Sequence, residues 1–540
     1  MKPLLIALVL LIALLFAVAW MPLIEARDDW RAGKNAEAIA TAGRWSQLHL
    51  WPSQYDQLLA AACLSAGNET AARPYLSAIG RVWLPALAKA EVARHLFAQG
   101  RYRDFLAYDA ASHERDDAEV LLYRGAAQAA TNQIDIADRT LRSIDASKVD
   151  RKKYDALRIA IGQRKNGTAP YVFDRSNAVI GVYHAQTNQV TAADPDFAPI
   201  IDADAGALTI GARVDQLGPN ATIETTLDPF VQKAALAALG SYRGSLVAID
   251  PQTNEILAIA NSAPKSNRAL ESRYEPGSVV KVITGLNALS IGVNVDSMFP
   301  YECKGYLEID GRHFADWVPQ GHGRLNSIDD ALAVSCNVFF ADLGLRLGRD
   351  HLQRFMNSAG FNAQANLGIF QVPLGRTTGE VFNNFETGFL AIGLQHAQIN
   401  AIHLAMLASM MANHGVLTTP RLLRERHSIL GEVIAFAPQQ GRTRIATAAA
   451  AERMIRAMQA VATEPQGTGR RAPVEGLSLA MKTGTSGDRK EGLEALIMAF
   501  SPVDKPKIAF GVIAESAGPA EFAGAKIAHD FLQRMQRRLQ

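Results

Sequence analysis

Hydrophobic positions fall into three regimes along the chain. The first is unbroken: Pro3 to Ile24, PLLIALVLLIALLFAVAWMPLI, runs 22 residues without a charge. As a helix rising 1.5 Å per residue it would span roughly 33 Å, enough for a bilayer core. Residues 1–25 are therefore predicted to form a transmembrane anchor. Ala17-Val18-Ala19 also supplies the small residues of a signal-peptide cleavage site, although the apolar run exceeds the usual signal core. Lys2 precedes the run and Arg27, Arg31 and Lys34 follow it, so flanking charge leaves the orientation open.

The second regime, 26–166, carries alanines and larger apolar residues at helical spacing, with few glycines or prolines. RAGKNAEAIA (31–40), SAGNETAARPYL (65–76), AQGRYRDFLAYD (98–109) and ATNQIDIADRTL (130–141) each read as a turn between two helices. Their turn residues, Gly33, Gly67, Gly100 and Asn132, are 34, 33 and 32 apart. That period resembles an all-α tetratricopeptide-like array with surfaces suited to protein contacts, the alternative being an alanine-rich bundle.

The third regime begins near Gly167, where glycine, proline, β-branched and aromatic residues replace the alanines. Residues 167–223 are predicted as a small β-containing linker domain, and 224–540 as a catalytic domain. There, TLDPFVQKAALAAL (226–239) reads as a helix capped by Asp228 with Pro229 in its first turn. GSLVAIDPQTNEILAIANS (244–262) reads as a β-hairpin. KIAFGVIAES (507–516) reads as a strand and AKIAHDFLQRMQRRL (525–539) as an amphipathic helix. Helices between strands at both ends suggest an α/β domain.

Bulk properties narrow the function classes. A chain of 540 residues is too long for one core and predicts a multidomain protein. Its net charge of +2 gives no footing for a nucleic-acid partner. The three cysteines, Cys63, Cys303 and Cys336, form no C-x-x-C pair, and the twelve histidines form no H-E-x-x-H. Neither a metal nor a cofactor is expected.

The chemistry lies in YEPGSVVKVITGLNAL (274–289). Ser278 and Lys281 are three apart on one helix face, behind a Pro276-Gly277 turn that leaves the first N–H groups of the helix free. A serine there is placed to attack a carbonyl, and a lysine whose pKa is lowered by burial can take its proton. The pattern is weak alone, and Ser262-Ala-Pro-Lys265 repeats it; that copy is discarded because proline interrupts it and no apolar helix follows. Ser335-Cys336-Asn337 comes 57 residues after Ser278, and Lys482-Thr483-Gly484 another 147 on. In isolation, Ser335 and Asn337 read equally as helix caps, and the second triplet as a turn.

S-x-x-K, S-x-N and K-T-G in that order resemble the penicillin-binding proteins, a relationship reinforced by NRALESRYEPGSVVK, DWVPQGHGRLNSIDDALAVSCNVFF and GFLAIGLQHAQINAIHLAMLASMMANHG. The resemblance implies a monofunctional, class B-like serine D,D-transpeptidase: an α/β (β-lactamase-like) domain with an antiparallel sheet flanked by helices. It implies Ser278 as the acylated nucleophile, Lys281 as its base and Ser335 as the proton relay. Asn337 would hold the substrate amide, and Lys482, Thr483 and Thr485 its terminal carboxylate. The N–H groups of Ser278 and Thr485 would form the oxyanion hole. Gly484 is expected to admit substrate backbone, having no Cβ.

The implied partners are peptidoglycan stem peptides, β-lactams and, through the helical repeats, cell-wall synthesis proteins. Since the donor peptide lies outside the cytoplasmic membrane, the catalytic domain is expected there, with the N-terminus inside. An anchored β-lactamase, with Glu380 and Asn384 holding a water, a D,D-carboxypeptidase, and a catalytically dead scaffold are the alternatives.

Overall fold

The computed structural model describes residues 20–540 apart from 49, 81–84, 219, 264, 378–380, 382, 437–440, 489 and 491. Residues 1–19 of the expected anchor lie outside the described residues. Among the described residues no helix is long and apolar enough to cross a membrane. The helix that enters at residue 20 runs to 31, and it packs Leu23, Ala26 and Trp30 into a helical core.

Among the described residues, helical hairpins follow the predicted turns. Residues 20–31 precede Asn35–Ser46, and Pro52–Ser65 packs on Glu69–Ala78, Lys89–Ala98 on Tyr102–Ala111, and Ala118–Ala130 on Ile134–Ser143, before Arg151–Lys165. The turn residues Gly33, Gly67, Gly100 and Asn132 have φ of +76°, +83°, +71° and +63°. This is the left-handed conformation that glycine and asparagine tolerate best. The hairpins bury Tyr55, Phe97, Phe105, Tyr108 and Tyr123 between them.

Residues 167–223 do not close a sheet by themselves. Thr168–Phe173, Val179–His184, Gln189–Ala192 and Thr222–Thr225 form four strands of a six-stranded sheet. The remaining two, Leu423–His427 and Val433–Phe436, come from the catalytic segment, with Arg426 opposite Ile223. The apolar side chains Tyr171, Val172, Ile180 and Ile200 belong to one continuous core with those of 224–540. The expected boundary at 223 is therefore crossed, because Thr222–Thr225 would otherwise be an unpaired edge. The turn between the two added strands places Ile429 and Leu430 in the helical core, and Glu432 meets Lys153 at 2.5 Å.

The second sheet frames the chemistry. Its order is Ala480–Asp488, Gly492–Ser501, Ile508–Ala514, Gly244–Ile249, Ile256–Asn261, antiparallel throughout. Pro229–Leu239, capped by the Asp228 carboxylate on the N–H groups of Phe230 and Val231, lies with Ala523–Leu539 over this sheet. Ala401–Ala412, whose twelve residues are all buried, also packs on it, as an all-round apolar helix must. Ala480–Asp488 is the sheet edge and faces the turn at Gly277–Val279.

Candidate active site

Three chain segments converge at that edge. Gly277–Val279 forms a single tight turn that leads into the helix Val280–Ser290. Gly277 has φ +54°, and its N–H donates to the Gly393 carbonyl at 2.9 Å. A Cβ on Gly277 would lie 2.5 Å from the Thr485 carbonyl oxygen. A Cβ on Gly484 would lie 2.6 Å from the Pro276 oxygen. Edge strand and turn thus touch backbone to backbone, and Ser278, half-buried, sits at the contact.

The need for glycine at 484 therefore begins inside the protein: its closest neighbour is the carbonyl before the turn, ahead of any substrate. Gly484→Ala is expected to push the strand off the Ser278 turn and slow penicillin acylation roughly 10- to 100-fold, as a displacement of about 1 Å would. Stopped-flow acylation measures this; wild-type rates would show that the strand yields freely.

Ser335 occupies the corner between the helices Ile328–Ala333 and Asn337–Leu347 with φ +57°, a costly conformation for a residue with Cβ. Neither Ser335 nor Asn337 caps the second helix. Cys336 does, its sulfur accepting from the Phe339 N–H. Lys281, fully buried, donates to the Ser335 carbonyl at 2.6 Å, to Ser335 Oγ at 3.2 Å and to Asn337 Oδ1 at 2.6 Å. Lys482, equally buried, donates to the same Ser335 Oγ at 2.9 Å and to the Thr483 carbonyl at 2.9 Å.

Lys281, Ser335, Asn337 and Lys482 are thus one hydrogen-bonded cluster. Thr483 Oγ1 joins its rim, 2.6 Å from Thr468 Oγ1. Thr485 Oγ1 is occupied elsewhere, accepting from the Ala520 N–H at 3.0 Å. Ser278 is set against the cluster by its backbone, and among the described residues no hydrogen bond joins its hydroxyl to Lys281.

The electrostatics follow from burial. Desolvation pulls the Lys281 ammonium down to about 8, while the Asp316 carboxylate opposes that fall. Lys482 is also held well below the usual range, by its own burial and by the charge of Lys281. Two cations on one hydroxyl are costly in a dry site, so one amine gives up its proton readily. Burial would raise Asp316, but His322, Lys281 and the Val338 N–H together hold its carboxyl well below the usual range.

This geometry has a counterpart among known proteins. The family described as Penicillin binding protein transpeptidase domain matches residues 244–535, more than half of the chain. The chain belongs to the penicillin-binding protein transpeptidases. Similar relatives include the peptidoglycan D,D-transpeptidase PbpA of Mycolicibacterium smegmatis, 28% identical over 55% of this chain and 67% of that protein. The Acinetobacter baumannii peptidoglycan D,D-transpeptidase MrdA is 29% identical over 54% of this chain but only 50% of its own length. The chain thus spans about half of that relative. The fold resembles penicillin-binding protein A of M. tuberculosis, solved as a ceftriaxone acyl-enzyme complex, with TM-score 0.61, 20% identity, and coverage of 68% of this chain and 98% of that one.

Several members of this hydrogen-bonded cluster escaped the motif reading. Asp316 lies inside DWVPQGHG, where no spacing rule distinguishes it. Its Oδ2 accepts from the N–H groups of Asn337 at 2.8 Å and Val338 at 3.1 Å, and His322 Nε2 lies 3.1 Å from Oδ1. It anchors the start of the helix that carries Asn337, where a negative charge is favoured. Thr468, whose N–H donates to the Ala333 carbonyl at 3.0 Å, had no sequence signal. The discarded Ser262 accepts from the Gly244 N–H and Lys265 pairs with Asp204 at the surface. Glu380 lies outside the described residues, and Asn384 donates to Asp310.

Proposed function

We propose that this chain is a peptidoglycan D,D-transpeptidase working through an acyl-serine at Ser278, and that β-lactams acylate the same hydroxyl. The observation that carries this reading is the buried Lys281, hydrogen-bonded to Ser335 and Asn337 and lowered to about 8, three residues from a serine at a helix start. Ser278 Oγ attacks the carbonyl carbon of the penultimate D-alanine as Lys281 takes its proton. The N–H groups of Ser278 and Thr485 hold the oxyanion. The proton returns through Ser335 to the departing D-alanine amine, and an amine of a second stem peptide then takes the acyl group.

Lys482 and Thr483 receive the terminal carboxylate of the donor. That arrival supplies a counter-charge to Lys482 and favours its protonated form. A charged Lys482 in turn favours neutral Lys281, so substrate binding prepares the base.

The helical hairpins are read as a tetratricopeptide-like array that docks cell-wall synthesis proteins. Residues 1–25 are read as a single-pass anchor in the cytoplasmic (inner) membrane, with catalysis on its outer side. The test is intact-mass analysis after incubation with benzylpenicillin. A lasting adduct mapped to the Ser278 peptide is expected. Rapid drug consumption without an adduct would make it a hydrolase, and neither adduct nor turnover from folded protein would leave only a scaffold.

A further inference from the structure

The seam between the helical hairpins and the six-stranded sheet holds a cavity of about 560 Å³ that the proposed chemistry does not use. That volume lies within the roughly 300–1,000 Å³ of ligand sites. Its wall carries three guanidinium groups, those of Arg101, Arg103 and Arg426, against the carboxylate of Asp215. Arg101 is tied to Asp104, and Asn188 Nδ2 donates to Asp215 at 3.0 Å. Among the described residues no ion pair joins a carboxylate to Arg103 or Arg426. Arg426 donates to the Leu217 carbonyl at 3.2 Å, while its Nε is buried without a hydrogen-bond partner, a costly state for a donor.

We propose that this cavity, with the edge strand beside it, docks an extended acidic segment of a protein partner. The segment adds to the sheet as a seventh strand and sets its carboxylates against Arg103 and Arg426. This deepens the reading of the hairpins as a docking array and needs none of the serine chemistry. Val433–Phe436 is the outermost strand of the six-stranded sheet, and an edge offers unpaired N–H and C=O groups to another chain. Val433 is 39% exposed there, and its neighbour Ile434 lines the cavity. Side chains alternate across a strand, so a segment laid along this edge points every second side chain at the arginines.

Charge decides the class of partner. The helix Tyr102–Ala111 starts in the cavity wall with no side chain capping its first turn, so its positive end adds to the guanidinium groups. Behind the wall, Arg164 donates to Asn220 Oδ1 at 3.0 Å. Burial pulls the Arg164 guanidinium down to about 10, with Tyr183 and Tyr102 opposing that fall. Asn220 Nδ2 donates in turn to the Ala130 carbonyl at 2.5 Å, so the helical turn and the sheet are joined before any partner arrives. A site fixed in this way loses little freedom on binding.

A phosphate-bearing ligand is the rival for the same cations. Arg103 is exposed and Arg426 half-buried, which spreads the positive charge over the depth of the cavity. That spread suits carboxylates spaced along a chain better than one compact phosphate. A phosphate would also leave the Val433–Phe436 edge without a partner.

The test uses the full-length chain in detergent and a fluorescent octapeptide of alternating glutamate and valine, with binding followed by anisotropy. Binding is expected to weaken with salt and to fall about tenfold in each of Arg103→Gln and Arg426→Gln, the scale of one charge-assisted hydrogen bond. Both variants should keep the wild-type unfolding midpoint and benzylpenicillin acylation rate. On the wild type, two further peptides, N-methylated at every glutamate or at every valine, test the strand. Only one of those two sets of N–H groups can face the edge, so one peptide should bind and the other should not. Equal behaviour of the two would overturn strand addition. Binding of inorganic pyrophosphate in place of the peptide would overturn the proposal in favour of a phosphate site. No peptide binding up to about 1 mM, or binding that survives both arginine variants, would overturn it outright. Peptide binding by a protein that penicillin never acylates would leave the docking site standing and sink the transpeptidase reading alone.

Discussion

Lys281→Met is expected to slow acylation of Ser278 by about 10³-fold while leaving the fold intact. Methionine fills similar volume and removes only the amine, so the loss measures base catalysis, which typically contributes 10²–10⁴-fold. The side chain is wholly buried, and its three hydrogen bonds all go to Ser335 and Asn337. The substitution therefore also frees Ser335 Oγ to Lys482 alone. The measurement is the second-order rate constant for benzylpenicillin, followed from pH 6 to 10. In the wild type the competent form is the neutral amine, so the rate should rise tenfold per pH unit below about 8 and level off above it. The variant should lose that inflection with its rate. A residual rate that keeps the inflection would assign the titration to another group, with Lys482 the nearest.

Asp316→Asn is the second large effect, and its sign differs from a simple loss. The carboxylate raises the pKa of Lys281 against desolvation, so removing its charge should move the inflection below 8, toward acid. The price is structural. The amide must present either its oxygen or its NH2 to the N–H groups of Asn337 and Val338, which now share Oδ2. It also leaves the Lys281 charge without its counter-ion. Breaking a buried charged network of this kind costs roughly 3–5 kcal/mol. Acylation at pH 7 should therefore fall through misplacement of Asn337, even though more Lys281 is neutral. Thermal unfolding and the pH profile separate the two effects. An unchanged midpoint in the profile would show that Asp316 does not govern the lysine.

Much of the site was legible along the chain because its chemistry is local. Ser278 and Lys281 share a helix face whatever surrounds them, and Pro276-Gly277 announces the turn that starts it. The helical hairpins were legible for the same reason: Gly33, Gly67, Gly100 and Asn132 mark left-handed turns that most side chains resist. The hairpin of Gly244–Ile249 and Ile256–Asn261 and the amphipathic helix Ala523–Leu539 are also short-range patterns.

What escaped depends on partners that no local pattern brings together. Leu423–His427 carries four charged or titratable residues in five and does not read as a strand. It becomes one because Thr222–Thr225 offers an unpaired edge. Asp316 and Thr468 are ordinary polar residues until folding brings them to the Ser335 corner. Gly484 was expected to make room for substrate, yet the Pro276 carbonyl already requires it to lack Cβ.

By itself, then, the sequence determined that a serine and a lysine stand three apart behind a Pro-Gly turn, the order of the three motifs and the helical character of the N-terminal region. Those are properties of residue type and of spacings shorter than a few turns of helix, which backbone geometry enforces without help. Only the tertiary structure decided the rest: that Lys281 and Lys482 share one hydroxyl, and that Asp316 supports Lys281. Burial depth and contact between distant segments set those charges and contacts, and neither quantity is written in any local stretch of chain.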